Sequence, residues 1–331
     1  MSNFRYYTQW MKPVRKIAFY VRGFCTYYVP KAYYRARYAS LTNRLSENER
    51  KAVDARAAYY NRMLSTSLHN LHNLTSVQDF KYPHGKKKKF STYFFDLYGS
   101  LKYFPEHYRF SYLFGDVTEE PEMPAFVKSR PIPAEGAHSN SVILKLNKAR
   151  HYLFIKDSLS FREKKDMIVS RNCVRQPHRK RWLEMYHGHP MCNVGQINPD
   201  VQDGHQEWLK EYMTIPQQLK YKFICCIEGN DVATNLKWVM SSNSLAVMPR
   251  PKYETWFMEG SLIPGYHYVE IKEDYSDLIE KMEYYIARPD EAEAIIRHAH
   301  EYIRQFKDRR MEKLVSLAVV EKYFRLTGQM E

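Results

Sequence analysis

Residues 222–260, which read KFICCIEGNDVATNLKWVMSSNSLAVMPRPKYETWFMEG, decide the fold of this 331-residue chain. Residues 223–227 form a short apolar run of the kind that builds a buried parallel strand. The run stops at a polar turn, residues 228–231, where glycine and asparagine tolerate a positive φ. Apolar residues then recur at helical spacing, and residues 245–248 form a second apolar run closed by prolines. The stretch predicts an α/β fold with a parallel sheet.

The turn after the first strand is a candidate anion-binding site. Where such a turn leads into a helix, the first backbone N–H groups lack helical partners and the helix dipole favours negative charge. Asn235 and Lys237 fall within the first two helical turns and are placed to complete a diphosphate site. A turn that binds nothing is the competing interpretation, because most strand–turn–helix units in α/β proteins are purely structural.

The composition is strongly basic and rich in tyrosine, with 28 Tyr and a formal net charge of +14. Excess positive charge favours anionic partners, namely nucleic acid, an acidic membrane face or phosphorylated substrates, without choosing among them. The length suffices for two domains that each have a core.

The five cysteines have no zinc-binding spacing, and two of them are adjacent within an apolar run. Few cysteines favour a reducing, cytoplasmic setting. No apolar stretch approaches the length of a spanning helix, and the first residues lack the features of a secretory signal. A soluble or peripheral protein is therefore expected.

The first sixty residues interleave aromatic side chains with lysine and arginine. This composition suits the headgroup level of an anionic leaflet, single-stranded nucleic acid, or helices packed on the body with their charges in solvent. Ser46 and Glu49 form a capping-box signature, which predicts a helix through the alanine-rich stretch to Met63. The lysine run at residues 84–89 is expected to be a solvated loop.

Beyond residue 90 two patterns follow each other. Strands and loops are expected to alternate over residues 90–165, with strands at 142–146 and 152–155. Strands and helices are expected to alternate over residues 166–272. The remaining residues predict three helices, with apolar faces at Leu278, Met282 and Ile286, between Pro289 and Phe306, and at Leu314, Leu317 and Phe324.

Three segments carry a more specific signal than their periodicity. They are EGNDVATNLKWVMSSNS (228–244), PKYETWFMEG (251–260) and HYVEIKEDYSDL (267–278). They resemble the carboxyl half of glycosyltransferase family 90, which includes capsule-associated proteins, protein O-glucosyltransferases and bacterial lipopolysaccharide core glycosyltransferases. The resemblance covers about residues 90–330 and is closest to the lipopolysaccharide branch.

The resemblance implies a GT-B architecture, in which two Rossmann-like domains face each other across a cleft. The chain then divides into a basic aromatic helical segment (1–60), an acceptor-side α/β domain (61–165), a nucleotide-sugar donor domain (166–305) and a C-terminal helix (306–331) that returns to the first domain.

Asp116 is the catalytic base that the resemblance implies. Sugar transfer from a nucleotide diphosphate requires proton removal from the acceptor hydroxyl and stabilisation of the leaving diphosphate. Asp116 precedes PAFVKSR (124–130), which matches the P-x-F-x-K-x-R-like segment that follows the base in this family. An aspartate at a strand end is otherwise commonly a turn former. The alternative carboxylates, if the alignment is shifted, are Glu119, Glu120 and Glu122.

Lys128 and Arg130 point to the same side of this extended segment, because they are two residues apart. They are candidates for holding the cleft or contacting phosphates. Ion pairing with the neighbouring glutamates is the structural alternative.

Residues 170–181 (SRNCVRQPHRKR) supply a second cationic group, in which Arg171, Arg175 and Arg179 recur every four residues. Members of the family usually have Trp-Arg-Gly here, whereas this chain keeps the arginine between Ser170 and Asn172. Arginine suits a diphosphate because its planar fork binds phosphate oxygens in pairs. A solvent-exposed basic helix end is the structural alternative.

The resemblance assigns the rest of the donor site to the turn after the first strand and to one carboxylate. The residues are Gly229, Val232, Ala233, Thr234, Asn235, Lys237 and Glu254. Many relatives have arginine in place of Asn235, so charge stabilisation is expected from Lys237, Arg171 and backbone amides. Glu254, expected to enter a helix, is assigned to the ribose hydroxyls, since a carboxylate accepts two hydroxyl donors. A helix-dipole role is the alternative.

The chain lacks the Asp-x-Asp triplet with which GT-A transferases hold a metal ion, so no metal and no other cofactor is expected. The expected function is inverting transfer of a hexose, glucose or galactose, from its UDP-sugar to a lipopolysaccharide or lipooligosaccharide core sugar. The enzyme is expected to be cytoplasmic and peripheral on the anionic inner membrane, where the acceptor is anchored.

Two alternatives were weighed against this function. A protein O-glucosyltransferase is disfavoured because such relatives work in the secretory pathway and this chain has few cysteines and no evident signal. A basic nucleic-acid-binding protein would explain the charge but not the strand–turn–helix motifs, and no signature of such proteins is present. Nucleic acid is therefore not expected as a partner.

Overall fold

The computed structural model describes residues 11–200 and 204–331. Residues 1–10, which belong to the predicted basic aromatic segment, lie outside the described residues. The chain forms two compact units. The helical unit comprises Arg15–Arg150, Lys252–Gly260 and Gln305–Glu331, and the sheet unit consists mainly of His151–Pro251 and Ser261–Arg304.

The strands and α-helices of both units are numbered in chain order. The strands are β1 (Thr75–Ser76), β2 (Arg109–Phe110), β3 (Ala125–Val127), β4 (Ser129–Pro131), β5 (Ser141–Ile143), β6 (Lys165–Asn172), β7 (Cys192–Gln196), β8 (Tyr221–Cys225), β9 (Leu245–Met248), β10 (Tyr253–Thr255) and β11 (Val269–Glu270). The α-helices are α1 (Met11–Tyr27), α2 (Lys31–Thr42), α3 (Glu47–Tyr60), α4 (Ser91–Leu101), α5 (Lys148–His151), α6 (Pro177–Tyr186), α7 (Ile215–Gln218), α8 (Leu236–Val239), α9 (Leu278–Ala287), α10 (Pro289–Arg304) and α11 (Arg309–Leu326).

The sheet unit is built on a five-stranded parallel sheet with the order β11–β9–β8–β6–β7. β8 and β9 are completely buried, as expected for a parallel sheet covered by helices. Apolar side chains of the strands and of α6, α9 and α10 form one core, which includes Phe223, Val194 and Trp182. The predicted α/β class with a parallel sheet is confirmed, and the two-domain GT-B arrangement stays a prediction.

The helical unit contains α2, α3, α4 and α11, most of α1, and three two-stranded pairs: β1–β2, β3–β5 and β4–β10. α11 packs against α3 and α4. The buried carboxylate of Glu312 in α11 binds Arg56 at 2.7 Å, the indole of Trp256 at 2.8 Å, and Lys145. These contacts hold the last helix against both α3 and the segment that carries β10.

Several local predictions are confirmed. β9 has the predicted bounds, and the three C-terminal helices form where their apolar faces indicate. The capping box at the start of α3 is present, since the Ser46 hydroxyl accepts from the Glu49 amide and the Ser46 amide donates to the Glu49 carboxylate. α3 ends at Tyr60, three residues earlier than predicted.

Other local predictions are wrong. Residues 91–101, expected to lie among strands and loops, form the helix α4, whose side chains are buried almost all round. A segment that is apolar on every side has no periodicity that distinguishes helix from strand. Residues 152–155 pair with no strand, and the amide of Ile155 donates instead to the Ser241 hydroxyl. The lysine run forms a short 3₁₀ helix, Gly85–Phe90.

No helix in the described parts of the chain combines the length and apolarity that crossing a bilayer requires.

The cysteines divide into two classes of reactivity. Burial raises the pKa of the Cys192 and Cys225 thiols to about 12, and it raises the pKa of Cys226 well above its usual value. Cys25 and Cys173 are exposed. Because the thiolate is the reactive form, the buried thiols are expected to be inert.

We therefore predict that a thiol reagent such as 5,5′-dithiobis(2-nitrobenzoate) modifies two of the five cysteines of the native protein at pH 8. The remaining thiols react only after denaturation, and the release of thionitrobenzoate at 412 nm measures both phases. Cys173→Ser lowers the native count by one and serves as the control. Rapid modification of a third thiol in the native protein would show that the sheet core is not closed.

Candidate active site

In the sheet unit, the predicted donor residues lie around the carboxyl edge of the parallel strands. β6 and β8 run in the same direction, so the segments that follow them leave the sheet at the same edge. Arg179 in α6 fastens these segments together. Its guanidinium donates to the main-chain carbonyls of Cys173, Ile227 and Glu228 at 2.9 to 3.0 Å. His178 also contacts the carbonyl of Glu228 at 2.9 Å, so the turn after β8 is anchored from α6.

Gly229 lies against this arginine. A Cβ atom added at Gly229 would be 3.3 Å from Nη2 of Arg179, so a side chain there would displace the guanidinium. The positive φ expected of the glycine or asparagine in this turn does not occur, because neither Gly229 nor Asn230 adopts such a conformation. Close approach, rather than backbone strain, is the reason that glycine fits this position.

The helix predicted directly after the turn begins later and is short. α8 comprises four residues, and turns occupy the chain up to Asn235. The side-chain amide of Asn235 donates to the carbonyl of Cys225 at 2.8 Å, which ties the end of the turn back to β8. Val232 and Ala233 are buried, and Thr234 and Asn235 are half-buried.

Lys237 lies in α8 and is completely buried in the sheet unit. Its positive charge opposes the rise that burial causes in the pKa of the Cys226 thiol, which places the ammonium near β8. The structure thus places Lys237 inside the sheet unit rather than at its surface.

Arg171 lies in β6, and all three nitrogens of its guanidinium donate hydrogen bonds. Nε donates to the carbonyl of Glu211 at 3.0 Å, and Nη1 donates to the carbonyls of Ser170 and Asn193 at 2.8 Å. Nη2 donates to the side-chain oxygen of Asn193, also at 2.8 Å. Burial lowers the pKa of Arg171 from its usual value. The hydroxyl of Ser170 accepts a hydrogen bond from the indole of Trp182.

Arg175 differs from the other two arginines because its side chain is 63% exposed. It forms an ion pair with Asp200 at 3.0 Å, and the carboxylate is also more than half exposed. Exposed pairs of this kind contribute little to stability, so the guanidinium is available to another anion at small cost.

In the helical unit, Asp116 and Lys128 form a close pair. Oδ1 of Asp116 lies 2.6 Å from Nζ of Lys128. Lys128 joins β3 to β4 in the chain, and its side chain is almost completely buried. The Asp116 side chain remains 35% exposed, and Gly115 before it adopts a φ of +112° that favours glycine. A buried ammonium therefore orients a carboxylate that solvent still reaches.

Arg130 and Glu254 form a second pair, which is completely buried. They lie opposite each other in the antiparallel pair β4–β10, and Oε1 of Glu254 accepts from Nε and Nη2 of Arg130 at 2.9 and 2.8 Å. Oε2 accepts from the hydroxyl of Tyr59. Arg130 also donates to the carbonyls of Tyr59, Tyr60 and Ser141.

This geometry differs from what the sequence predicted for Glu254. The residue lies in a strand rather than at the start of a helix, and it belongs to the helical unit, whereas Arg171 and Gly229 belong to the sheet unit. Its carboxylate binds Arg130 and Tyr59 and has no exposed surface. The position of Glu254 is that of a structural ion pair, in which both carboxylate oxygens are already bonded.

The neighbouring glutamates are arranged differently from one another. Glu120 accepts hydrogen bonds from the hydroxyl of Ser139 and from the backbone of Asn140, and so closes a loop before β5. Glu119 and Glu122 are exposed. Lys128 forms an ion pair with Asp116 and Arg130 forms one with Glu254, so each cation binds a carboxylate outside this cluster.

A cavity in the helical unit was missed by sequence reasoning. It has a volume of about 380 Å³ and is lined by Ala58, Asn61, Arg62, Met63, Glu135, Gly136, Ala137, His138 and Lys322. Three separate segments contribute these residues, so no local motif signals it. Among residues 11–200 and 204–331, no group of three His, Cys, Asp or Glu side chains is arranged to hold a metal ion.

The buried pair generates a prediction about stability. Arg130→Met leaves the Glu254 carboxylate buried without its partner, so we expect the free energy of unfolding to fall by about 3–5 kcal/mol. Replacing both, with Arg130→Met and Glu254→Leu, removes the uncompensated charge and is expected to recover most of the loss. Urea denaturation followed by circular dichroism measures both variants. A double variant as unstable as the single one would assign the loss to Arg130's bonds with backbone carbonyls.

This chain is similar to known proteins along most of its length. A family model described as Glycosyl transferase family 90 matches residues 152–326. The chain is 42% identical over 318 residues to the O-glucosyltransferase LpsA of Dichelobacter nodosus, which covers 94% of this chain and 96% of that protein. It is also 27% identical over 144 residues to the uncharacterized protein 035R of Invertebrate iridescent virus 3, over 36% of this chain and 13% of that protein. The match of the family model and the near full-length relative show that this chain is a glycosyltransferase and belongs to glycosyltransferase family 90.

Proposed function

We propose that this glycosyltransferase moves a hexose from its UDP-sugar to a hydroxyl of a lipopolysaccharide or lipooligosaccharide core sugar. Glucose is the first candidate for this hexose, and galactose is the second. The observation that supports it most is the 42% identity with an O-glucosyltransferase along almost the full length of both chains. The proposed reaction is a single inverting displacement without a metal ion, carried out by a GT-B enzyme. The five-stranded parallel sheet supports the donor side of that architecture.

Asp116 is the proposed catalytic base. A general base needs a carboxylate that is held in position and can reach the acceptor hydroxyl. The short contact with Lys128 provides the first property, and the 35% exposure of the Asp116 side chain provides the second. As the hydroxyl oxygen attacks the anomeric carbon, its proton passes to the Asp116 carboxylate and the bond to the UDP oxygen breaks.

Stabilisation of the departing UDP is proposed to come from Arg175 and the turn after β8. Arg175 is exposed and exchanges one carboxylate partner for a phosphate at little cost. Arg171 and Arg179 are occupied by backbone carbonyls, and their proposed role is to hold the segments after β6 and β8. Amides of residues 232–234 and the charge of Lys237 are the other proposed contributors to the site.

The proposed working location is the anionic cytoplasmic face of the inner membrane, with the enzyme peripheral. A net charge of +14 supports association with a surface that carries anionic lipids and phosphorylated acceptors. The acceptor is anchored in that membrane by its lipid part.

The decisive experiment measures UDP release when the purified protein is mixed with a UDP-sugar and a truncated lipooligosaccharide in the presence of EDTA. We expect turnover with UDP-glucose or UDP-galactose that persists in EDTA. Asp116→Asn is expected to lower kcat by about 100-fold or more, because a positioned general base contributes that much to proton transfer.

Glu119→Gln is the matched control, because it neutralises an exposed carboxylate three residues away. It is expected to leave kcat unchanged. Loss of turnover in Glu119→Gln with retention in Asp116→Asn would transfer the role of base to the glutamate. Absence of transfer from either donor, together with no UDP binding by calorimetry, would overturn the proposed donor site.

A further inference from the structure

α1 has an aromatic inner face that packs on α4. The rings of Phe19, Tyr20 and Phe24 lie edge-on to the ring of Phe95, with centroids 4.9 to 6.3 Å apart. Gly23 allows this approach, because a Cβ atom there would be 2.8 Å from the Phe95 ring. The orientation of α1 about its axis is therefore fixed by the helical unit itself.

The opposite face of α1 exposes apolar side chains. Val14, Ile17 and Val21 are 62%, 62% and 57% exposed, and their spacing of three and four places them on one side of the helix. Cys25, one turn further on, is also exposed. We call these four residues the outer face. Because the inner face is held by α4, α1 cannot bury the outer face by turning over.

The charge around the outer face has one sign. Residues 11–46 contain eight lysines and arginines and no aspartate or glutamate. Glu106 pairs with Lys31 and Arg35 of α2. Within the described parts of the chain, neither Lys16 nor Arg22 of α1 forms an ion pair, so α1 itself keeps an excess of positive charge.

Two further cations of the helical unit lie against tyrosine rings. The ammonium of Lys102 is 3.7 Å from the centre of the Tyr34 ring, and that of Lys313 is 4.1 Å from the centre of the Tyr103 ring. Burial, with the charges of Arg22 and Lys148, lowers the pKa of Lys102 to about 8. Lys148 pairs with Asp96 at 3.6 Å.

Burial and the same neighbouring charges also lower the pKa of Lys313 well below its usual value. The positive charge of Arg22 contributes to both of these pKa shifts, as does that of Lys148, which pairs with Asp96. An anionic surface placed against α1 would offset the positive charge of Lys16 and Arg22, which are exposed on this helix.

We propose that the outer face of α1 docks on an anionic phospholipid bilayer, with its apolar side chains at the headgroup–acyl boundary and Arg22 among the phosphates. A bilayer supplies both partners that this surface needs, an apolar layer for its apolar side chains and negative charge for its cations. A second copy of the chain would instead bring a second cation-rich face against the first. The proposal deepens the proposed function, on which it rests for its purpose, because docking there brings the enzyme to a lipid-anchored acceptor.

The test measures partition of the full chain onto vesicles of phosphatidylethanolamine and phosphatidylglycerol by sedimentation. The outer-face variant is Ile17→Glu with Val21→Glu. The control variant is Leu64→Glu with Ile263→Glu, which places the same charges at two other exposed apolar residues, 59% and 54% exposed. We expect the outer-face variant to lose about tenfold or more in partition coefficient and the control to stay within about twofold of the unmodified chain.

A second variant keeps the test informative if the glutamates disturb folding. Ile17→Ser with Val21→Ser removes apolar area without adding charge and is expected to lower partition by a smaller factor. Phosphatidylcholine vesicles and high salt are each expected to weaken binding of the unmodified chain. Equal partition of the unmodified chain and a folded outer-face variant would overturn the proposal. So would a dimer of the unmodified chain, measured by light scattering, that the outer-face variant abolishes.

Transfer to a deacylated, water-soluble core oligosaccharide separates this proposal from the proposed function. The outer-face variant is expected to act on the soluble acceptor at the rate of the unmodified chain and more slowly on vesicle-borne acceptor. If the unmodified chain binds vesicles but transfers to neither acceptor, the proposed function fails and the docking surface stands. If it transfers to both without binding vesicles, the docking surface fails and the proposed function stands.

Discussion

The buried pair between Arg130 and Glu254 is the constraint on which the helical unit depends. Residues 252–260 are separated in the chain from the rest of this unit by residues 151–251 on one side and 261–304 on the other, and they join it through β10. Two charges without contact to water are tolerable only when each satisfies the other and their remaining polar atoms are bonded. That condition is met, because the Arg130 guanidinium also binds carbonyls at the end of α3 and in β5, and Tyr59 binds the second carboxylate oxygen.

This constraint extends to the proposed base through the backbone. Lys128 and Arg130 are two residues apart in an extended segment, so both side chains point to the interior of the unit. Since Arg130 is fixed by its carbonyl and carboxylate partners, the position of Lys128 is fixed as well, and with it the contact to Asp116. The buried ammonium of Lys128 thereby orients the partly exposed carboxylate of Asp116, so the loop that carries Asp116 does not itself have to be rigid. In the proposed mechanism, the two cations of PAFVKSR act as positioning residues.

The sequence predicted what local pattern and residue order determine. The periodicity of apolar residues and the prolines that interrupt it located β9 and the last three helices. The Ser46–Glu49 pair located the start of α3, and the order of residues in 228–278 indicated the family. α4 was not predicted because a segment buried on all sides has no periodic face. The partners of Arg171 and Glu254 were not predicted because they come from segments 22 to 195 residues away, and one sequence does not pair such segments.

The same long-range partners decide which arginine is suited to a diphosphate. A net hydrogen bond within a protein contributes about 1 kcal/mol, so withdrawing Arg179 from its three carbonyls costs about 3 kcal/mol and frees the turn after β8. Withdrawing Arg175 from Asp200 costs about 1 kcal/mol or less, because that pair is exposed. An enzyme that stabilises negative charge as it develops on the leaving group gains most from a cation that can change its partner at a small cost in free energy. It also needs a rigid framework that holds the rest of the site in place. In the proposed reaction Arg175 therefore meets the leaving diphosphate, while Arg171 and Arg179 keep the edge of the sheet in place for it.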